Sequence, residues 1–168
     1  GYYGHCSFCG TFQEFTRTHS AIRETYRCCE CRALLREREQ AQALLACFAS
    51  LQVRTIAELV ERTEFRRLNI YEPGTIGAFR RFLKGMPYYQ QSDYHPIADR
   101  HKATRALPHG DLEALDFADA AFDLVLTSDV LEHVRRPRVA FGQLARVLRR
   151  GGYHVFTVPL QDPVAEKT

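Results

Sequence analysis

Apolar residues recur at helical spacing in the first third of the chain. Between residues 32 and 66, mostly apolar positions three or four residues apart share one face, as in an amphipathic helix. These positions are Leu34, Leu35, Arg38, Ala41, Leu44, Leu45, Phe48 and Leu51. Residues 55–58 have the sequence of a capping box, which predicts a second, shorter helix. Residues 32–66 are therefore predicted to form a helical connector.

Beyond residue 67 the pattern changes to short apolar runs that alternate with helical ones. Strands are predicted at residues 68–71, 88–92, 122–127 and 153–158, with a poor third strand at 104–107. Helices are predicted at 76–84 and 137–148, the second ended by Gly151 and Gly152 because glycine accepts the conformation that helix ends favour. This alternation predicts an α/β fold, a Rossmann-like parallel sheet with flanking helices.

Three segments follow from these patterns. Residues 1–31 are loop-like and contain five of the six cysteines, residues 32–66 are the helical connector, and residues 67–168 carry the sheet. With 45% apolar residues, the 168-residue chain can bury a core. No apolar run approaches the roughly 20 residues that span a bilayer, and the start does not resemble a signal peptide. We therefore expect a cytoplasmic protein with reduced thiols.

Four cysteines of the first segment are spaced as metal ligands. Cys6 and Cys9 form one C-x2-C pair and Cys28 and Cys31 form another, with eighteen residues between the pairs. Each pair aims two thiolates at one point, and two pairs complete a tetrahedron around Zn²⁺. Four thiolates leave no position for a substrate, so we predict a structural zinc ribbon over residues 1–31. Iron in the same geometry and disulfides are the alternatives.

The turn after the first predicted strand has the residues of a ligand-binding loop. Glu72, Gly74 and Gly77 fall between that strand and the next predicted helix. Gly74 lets the backbone approach a ligand closely, and a helix start offers unpaired N–H groups. A carboxylate at the strand end suits a cationic or hydroxyl-bearing ligand better than a phosphate. The same residues also fit a purely structural turn.

Further polar residues follow the other predicted strands. Asp93 comes just after the second strand, where a carboxylate can accept hydrogen bonds from a ribose diol. Asp111 follows the poor third strand, and Ser128 and Asp129 follow the strand at 122–127. Because open α/β sheets bind ligands at the carboxyl ends of their strands, we expect these residues to converge on one nucleoside.

These motifs resemble those of class I S-adenosylmethionine-dependent methyltransferases of the methyltransferase type 11 family. The likeness covers residues 68–159 and is most specific in the sequences G-D-L-E-A-L at 110–115, F-A-D-A-A-F-D-L-V at 117–125 and V-L-E-H-V at 130–134. The segments A-R-V-L-R-R-G-G at 145–152 and F-T-V-P at 156–159 resemble the end of the family's next helix and the strand after it. The cysteine ribbon that leads into R-E-R at 36–38 also resembles a segment found on some members.

The resemblance implies a function and a cofactor, methyl transfer from S-adenosylmethionine. Glu72, Gly74 and Gly77 would form the first cofactor loop beside the methionine part of that molecule. Asp93 would hold the ribose hydroxyl groups.

The remaining site residues follow from the same resemblance. Asp111 would accept a hydrogen bond from the adenine amino group, with the backbone N–H of Leu112 near the ring. Ser128 and Asp129 would face the reacting methyl group. The resemblance assigns no catalytic base, and His133 is more readily interpreted as a structural residue at a helix start.

Two other functions stay open at this point. Ile76 stands where the family has a third glycine, which favours a catalytically inactive, methyltransferase-like binding module with a zinc ribbon. A nicotinamide-dependent reductase is the other alternative, against which Glu72 and the L-E-H sequence at 131–133 argue.

The methyl acceptor is open, and a small molecule, a lipid-linked sugar, a protein or RNA would each be compatible. Residues 1–66 contain nine Arg and eight Glu, so no basic patch favours RNA, and the net charge of +3 adds little. The chain ends before the last helix and two strands with which the family fold continues. We therefore expect a fragment whose C-terminal strands are missing.

Overall fold

The structure, a computed structural model, describes residues 1–74, 76–94 and 108–159. The poor third strand predicted at 104–107 lies outside the described residues. No helix in the described part of the chain is both long and apolar enough to cross a membrane.

The cysteine-rich segment begins with a small antiparallel hairpin. Its strands are β1, Tyr2–His5, and β2, Phe12–Phe15, with Tyr2 paired to Phe15 and His5 paired to Phe12. The sequence prediction of a loop-like segment missed this hairpin, because the strands have four residues each and little apolar alternation. The turn between them carries the first pair of cysteines and ends at Gly10, which has a φ of +81°.

Three helices follow the ribbon: α1 at Leu35–Cys47, α2 at Ile56–Leu59 and α3 at Thr63–Arg66. Helix α1 buries Arg38, Gln40, Ala41 and Leu44. The predicted cap of α2 is confirmed, since the Thr55 side chain accepts a hydrogen bond from the Glu58 N–H at 3.1 Å.

Among the described residues of the second half of the chain, four strands form a parallel sheet, which confirms the predicted fold class. Its strands are β3 at Ile70–Pro73, β4 at Tyr89–Ser92, β5 at Phe122–Ser128 and β6 at Leu148–Thr157. They lie in the order β4-β3-β5-β6. The chain therefore adds β4 on one side of β3 and then crosses over to add β5 on the other side. The carboxyl ends of β3 and β5 form the switch point where such sheets bind ligands.

Helices and apolar clusters cover both faces of the sheet. On one face Phe8 of the ribbon, Leu44 of α1 and Phe79 of α4, Ala78–Leu83, belong to the same cluster as Leu124 of β5. The predicted ribbon, connector and sheet segments thus share a core on this face.

The opposite face is covered by α5, Pro137–Val147. Leu144 of this helix belongs to a cluster with Tyr71, Phe122 and Val125 of the sheet. Phe122 and Val125 are three residues apart yet share a face, because the strand register shifts between Phe122 and Leu124.

The predicted role of the glycine pair after α5 is wrong. The helix ends at Val147, and Leu148 is already extended, so the chain passes directly into β6. Gly151 has a φ of +80° inside that strand. A Cβ atom on Gly152 would lie 2.8 Å from the carbonyl oxygen of Asp123. The glycines therefore allow a bend and a close backbone approach within the sheet.

Candidate functional site

A cavity of about 550 Å³ lies at the carboxyl ends of the parallel strands. Its position between β3 and β5 is the switch point of the sheet. Five of the eight residues predicted from the sequence line it: Gly74, Asp93, Asp111, Leu112 and Asp129. The structure thus brings together residues that are up to 55 positions apart in the sequence.

The wall after β3 is a glycine turn fixed to the neighbouring strand. Gly74 has a φ of +101°, in the region that side chains other than glycine rarely adopt. Its N–H donates to the Ser92 carbonyl at 2.8 Å, and its own carbonyl accepts from Gln91 Nε2 at 3.0 Å. Both partners belong to β4, so that strand sets the path of the turn.

Glu72 is not among the residues that line the cavity. It is buried, and its carboxylate accepts a hydrogen bond from the hydroxyl group of Tyr89. Burial, with a smaller contribution from the nearby carboxylate of Glu37, raises the pKa of Glu72 to about 7. A Cβ atom on Gly77 would lie 3.8 Å from an oxygen of Glu37 and from one of Glu72. Glu72 and Gly77 therefore lie close together where the chain enters α4, and neither lines the cavity.

The wall after β4 is built around Asp93. The carbonyl of Asp93 accepts from the Gly110 N–H at 2.9 Å, and Asp93 forms an isolated parallel bridge with His109. This bridge adds one residue pair to the edge of the sheet next to the end of β4. A Cβ atom on Gly110 would lie 1.9 Å from Ser92 Oγ, so only glycine fits there.

The next segment turns across the cavity. Oδ1 of Asp111 accepts from the backbone N–H of Glu113 at 2.9 Å, which closes a tight turn. Leu112 is buried against the cluster on the α5 face of the sheet.

Glu113 links two walls of the cavity, and the sequence analysis did not identify it. Its Oε1 accepts from the backbone N–H groups of Arg135 and Arg136 at 2.8 and 3.0 Å. Its Oε2 accepts from Nε of Arg136 at 2.6 Å. The side-chain hydrogen bond from Arg136 lowers the pKa of Glu113 and keeps it ionised. No local pattern marks such a link, because its partners are more than twenty residues away.

The wall after β5 is formed by Asp129, while Ser128 points elsewhere. Ser128 Oγ donates to Oε1 of Gln40 on α1 at 2.6 Å. Asp129 has a φ of +52°, and its carboxylate accepts from Arg36 Nε at 2.7 Å and from Thr157 Oγ1 at 3.0 Å. A second ion pair joins it to Arg23. A carboxylate held in this way is poorly placed to act as a general base.

The four predicted metal ligands also converge. The sulfur atoms of Cys6, Cys9, Cys28 and Cys31 all lie within 4.8 Å of one another, with Cys6–Cys31 at 3.5 Å and Cys9–Cys28 at 3.6 Å. Sulfur atoms about 2.3 Å from a tetrahedral ion would be separated by roughly 3.8 Å. The donor set therefore fits a four-thiolate metal ion.

Neighbouring donors favour thiolates at this centre. Gln13 Nε2 donates to the sulfur of Cys28 at 3.0 Å. The thiol of Cys31 donates to Cys6 and, with backbone N–H groups of Cys9 and Phe8, lowers the pKa of Cys6 to about 5. The Gln13 amide and the two backbone N–H groups would also stabilise sulfur ligands around a bound cation, while the proton of Cys31 would be released on binding.

Comparison with known proteins agrees with this geometry. Residues 89–156, which contain β4, β5, α5 and most of β6, match the family described as a methyltransferase domain. This match confirms the methyltransferase resemblance for that part of the chain. No curated protein matches the chain.

Several solved structures are similar to the chain. An S-adenosylmethionine-dependent methyltransferase from Mesorhizobium loti is 25% identical over 55% of this chain and 47% of its own, with a TM-score of 0.45. The DszA carbon methyltransferase is 18% identical over 75% of this chain and 35% of its own, with a TM-score of 0.49. The YcgJ protein from Bacillus subtilis is 18% identical over 70% and 53%, with a TM-score of 0.45. The chain thus spans about half or less of the length of these structures.

Proposed function

We propose that this chain, which carries a methyltransferase domain over residues 89–156, binds S-adenosylmethionine in the cavity at the ends of β3 and β5 and passes its methyl group to an acceptor. The observation that carries the proposal is the position of that cavity. It lies at the switch point of a parallel sheet and is lined by Asp93, which follows β4, and by Asp111, which follows the bridge between His109 and Asp93.

The cavity residues would divide the cofactor among them. Asp93 would accept hydrogen bonds from the ribose hydroxyl groups. Asp111 would accept from the adenine amino group, with the N–H of Leu112 toward the ring. Gly74 would let the backbone approach the methionine part. Glu72 would support the cofactor loop without touching the cofactor, because its carboxyl group is hydrogen-bonded to Tyr89 and does not line the cavity.

The bound cofactor supplies an electrophilic methyl group, so the chain mainly has to bind and orient. Asp129 stands at the cavity wall with both carboxylate oxygens accepting hydrogen bonds, so we assign it a positioning role and no proton transfer. His133 also lines the cavity, with 78% of its side chain exposed. We assign no catalytic base.

We also propose that the four cysteines hold a structural Zn²⁺ ion. The separations of their sulfur atoms support a tetrahedral ion, and the closed thiolate set leaves no position for substrate. The ribbon shares its apolar cluster with the sheet, so the metal would stabilise the same core on which the cavity rests.

Calorimetric titration of the full-length protein with S-adenosylmethionine tests the main proposal. Wild-type protein should bind, and Asp93→Ala should weaken binding about tenfold or more, because hydrogen bonds to a charged group are among the stronger ones. Asp116→Ala is the matched control, since Asp116 is exposed and does not line the cavity. Absence of binding to wild-type protein would exclude the proposal.

An inactive binding module is the second candidate function. The observation that favours it is Ile76, which stands 90% exposed in the cofactor loop where the resemblance expects glycine. This candidate predicts cofactor binding without turnover. If S-adenosylhomocysteine forms with any acceptor, even slowly, the chain is an active methyltransferase and the inactive-module candidate is wrong.

A further inference from the structure

Helix α1 contacts both loops that shape the cavity. Arg36 Nε donates to Oδ2 of Asp129 at 2.7 Å, at the end of β5. One residue further along the chain, Oε1 of Glu37 accepts from the backbone N–H of Ala78 at 3.0 Å, where the loop after β3 enters α4. Neighbouring side chains of one helix thus hold the two loops on either side of the switch point.

A third side chain of α1 fixes the helix to the sheet itself. Gln40 is 2% exposed, and its Nε2 donates to the carbonyl groups of Thr127 and Val155 at 3.2 and 3.0 Å. Its Oε1 accepts from Ser128 Oγ at 2.6 Å. Buried amide groups whose hydrogen bonds are all made define one arrangement of the packed elements.

The loop after β5 needs such support. Asp129 is not glycine, yet its φ is +52°. A residue in this region persists only where its surroundings hold it. The charged hydrogen bond from Arg36 is partly buried, since the two side chains are 24% and 19% exposed. A partly buried, charge-assisted bond is stronger than an exposed one.

The ribbon holds α1 from its other side. The Arg38 guanidinium lies 3.7 Å from the centre of the Phe15 ring and donates to the Tyr2 hydroxyl at 2.7 Å. Ser7, between two metal ligands, donates through Oγ to the Arg38 carbonyl at 2.8 Å. Helix α1 is therefore fixed between the ribbon and the carboxyl edge of the sheet.

We infer that α1 is the positioning element of the cofactor site. Arg36 holds the Asp129 loop and Glu37 holds the start of α4, so that the cavity keeps the shape that S-adenosylmethionine requires. The metal ribbon contributes to this positioning because it fixes α1. This inference rests on the proposed function, and Arg36 and Glu37 are positioning residues because neither lines the cavity.

Single variants of the full-length protein test the inference by titration with S-adenosylmethionine. Arg36→Gln should weaken binding roughly tenfold, and Arg36→Lys should weaken it less because a cation remains. Glu37→Gln should weaken binding a few-fold, because one neutral amide oxygen replaces two carboxylate oxygens that accept from Ala78 and Leu34. The matched controls Arg138→Gln and Glu39→Gln change exposed residues and should bind like wild type.

A double-mutant cycle separates positioning from a general loss of stability. If Arg36 acts through Asp129, adding Arg36→Gln to Asp129→Asn should weaken binding less than twofold further. If the double variant instead weakens binding by the product of the two single effects, the inference is wrong. It is also wrong if Arg36→Gln and Glu37→Gln both bind with wild-type affinity. If wild-type protein itself does not bind, the proposed function has failed instead. Thermal melts of each variant show whether lost affinity merely follows lost folding.

Discussion

At the scale of single residues, the site depends on contacts that tolerate little change. Gly110 packs so closely on β4 that its α-carbon hydrogens face the hydroxyl group of Ser92. That hydroxyl is itself hydrogen-bonded to the Tyr71 hydroxyl at 2.6 Å in the buried layer below the cavity. One small residue therefore sets the distance between Asp111 and the sheet.

We expect Gly110→Ala to disturb this layer. The new Cβ atom would lie 1.9 Å from Ser92 Oγ and 2.5 Å from Ser92 Cβ, so the strand or the loop must move. Overpacking of this kind costs about 1–3 kcal/mol. Urea unfolding measures the loss, and Gly142→Ala, which would contact nothing within 4 Å, is the control. An unchanged unfolding midpoint would show that the layer is not packed as described.

Glu72 makes stability depend on pH. Because its pKa rises to about 7 in the folded protein from an ordinary value of 4.5, the folded state binds a proton that the unfolded state releases between these values. Folding stability should therefore fall as pH rises from about 4.5 to 7, by up to about 3 kcal/mol, and then level off.

Glu72→Gln should remove this dependence. The amide oxygen can still accept from Tyr89, but it carries no charge to desolvate. The variant should be more stable than wild type at pH 8, and its advantage should shrink steadily as pH falls toward 5.5. Unfolding by urea across this range measures the slope, with the exposed Glu61→Gln as control. An advantage that did not change with pH would contradict the assignment.

At the scale of elements, the cavity is a set of loops held from outside by polar side chains. Two acidic residues show this arrangement. Glu37 of α1 holds the start of α4, and Glu113 joins the loop after Asp111 to the start of α5. Glu113 lines the cavity and Glu37 does not, yet each joins elements that no strand pairing connects.

Glu113→Ala should loosen the side of the cavity that Asp111 and Leu112 line. Two backbone N–H groups and the Arg136 guanidinium would lose their acceptor, so Leu112 and Asp111 would be less well placed. We expect binding of S-adenosylmethionine, measured by calorimetric titration, to weaken several-fold. Glu64→Ala, an exposed residue of α3, is the matched control.

At the scale of the whole molecule, the ribbon and the sheet behave as one packed body. Cys6 and Cys28 belong to the same buried cluster as Ile70, Phe79 and Leu124. A metal ion on the four cysteines would therefore stabilise the whole chain rather than a separate module.

Cys28→Ser should lower metal content below about half an equivalent of zinc or iron. Cys28 is fully buried, and loss of a structural metal removes folding energy directly, so the melting temperature should fall by about 10 °C or more. Cys29→Ser, which changes the exposed neighbouring cysteine, should keep both metal and stability. Wild-type protein purified without metal would rule out the assignment.

The sequence predicted what local patterns encode. The strand at β5 and the helix α5 were predicted to within a residue, because each has a strong, regular apolar pattern. Strand β3 was predicted two residues early, at 68–71, because Leu68 belongs to the turn after α3 and still adds to the apolar run. The placement of Asp93 at the cavity followed from its position after β4, whereas the strand predicted before Asp111 lies outside the described residues.

By itself, the sequence predicted that Cys6, Cys9, Cys28 and Cys31 come together and gave the order of strands and helices, since both depend on the spacing of residues along the chain. It also predicted that Asp93, Asp111 and Asp129 lie at one edge of the sheet. Only the tertiary structure decided that Glu72 turns to Tyr89 and that Arg36 pairs with Asp129, 93 residues away. Both contacts depend on how whole elements pack against one another. The spacing of residues along the chain does not contain that information.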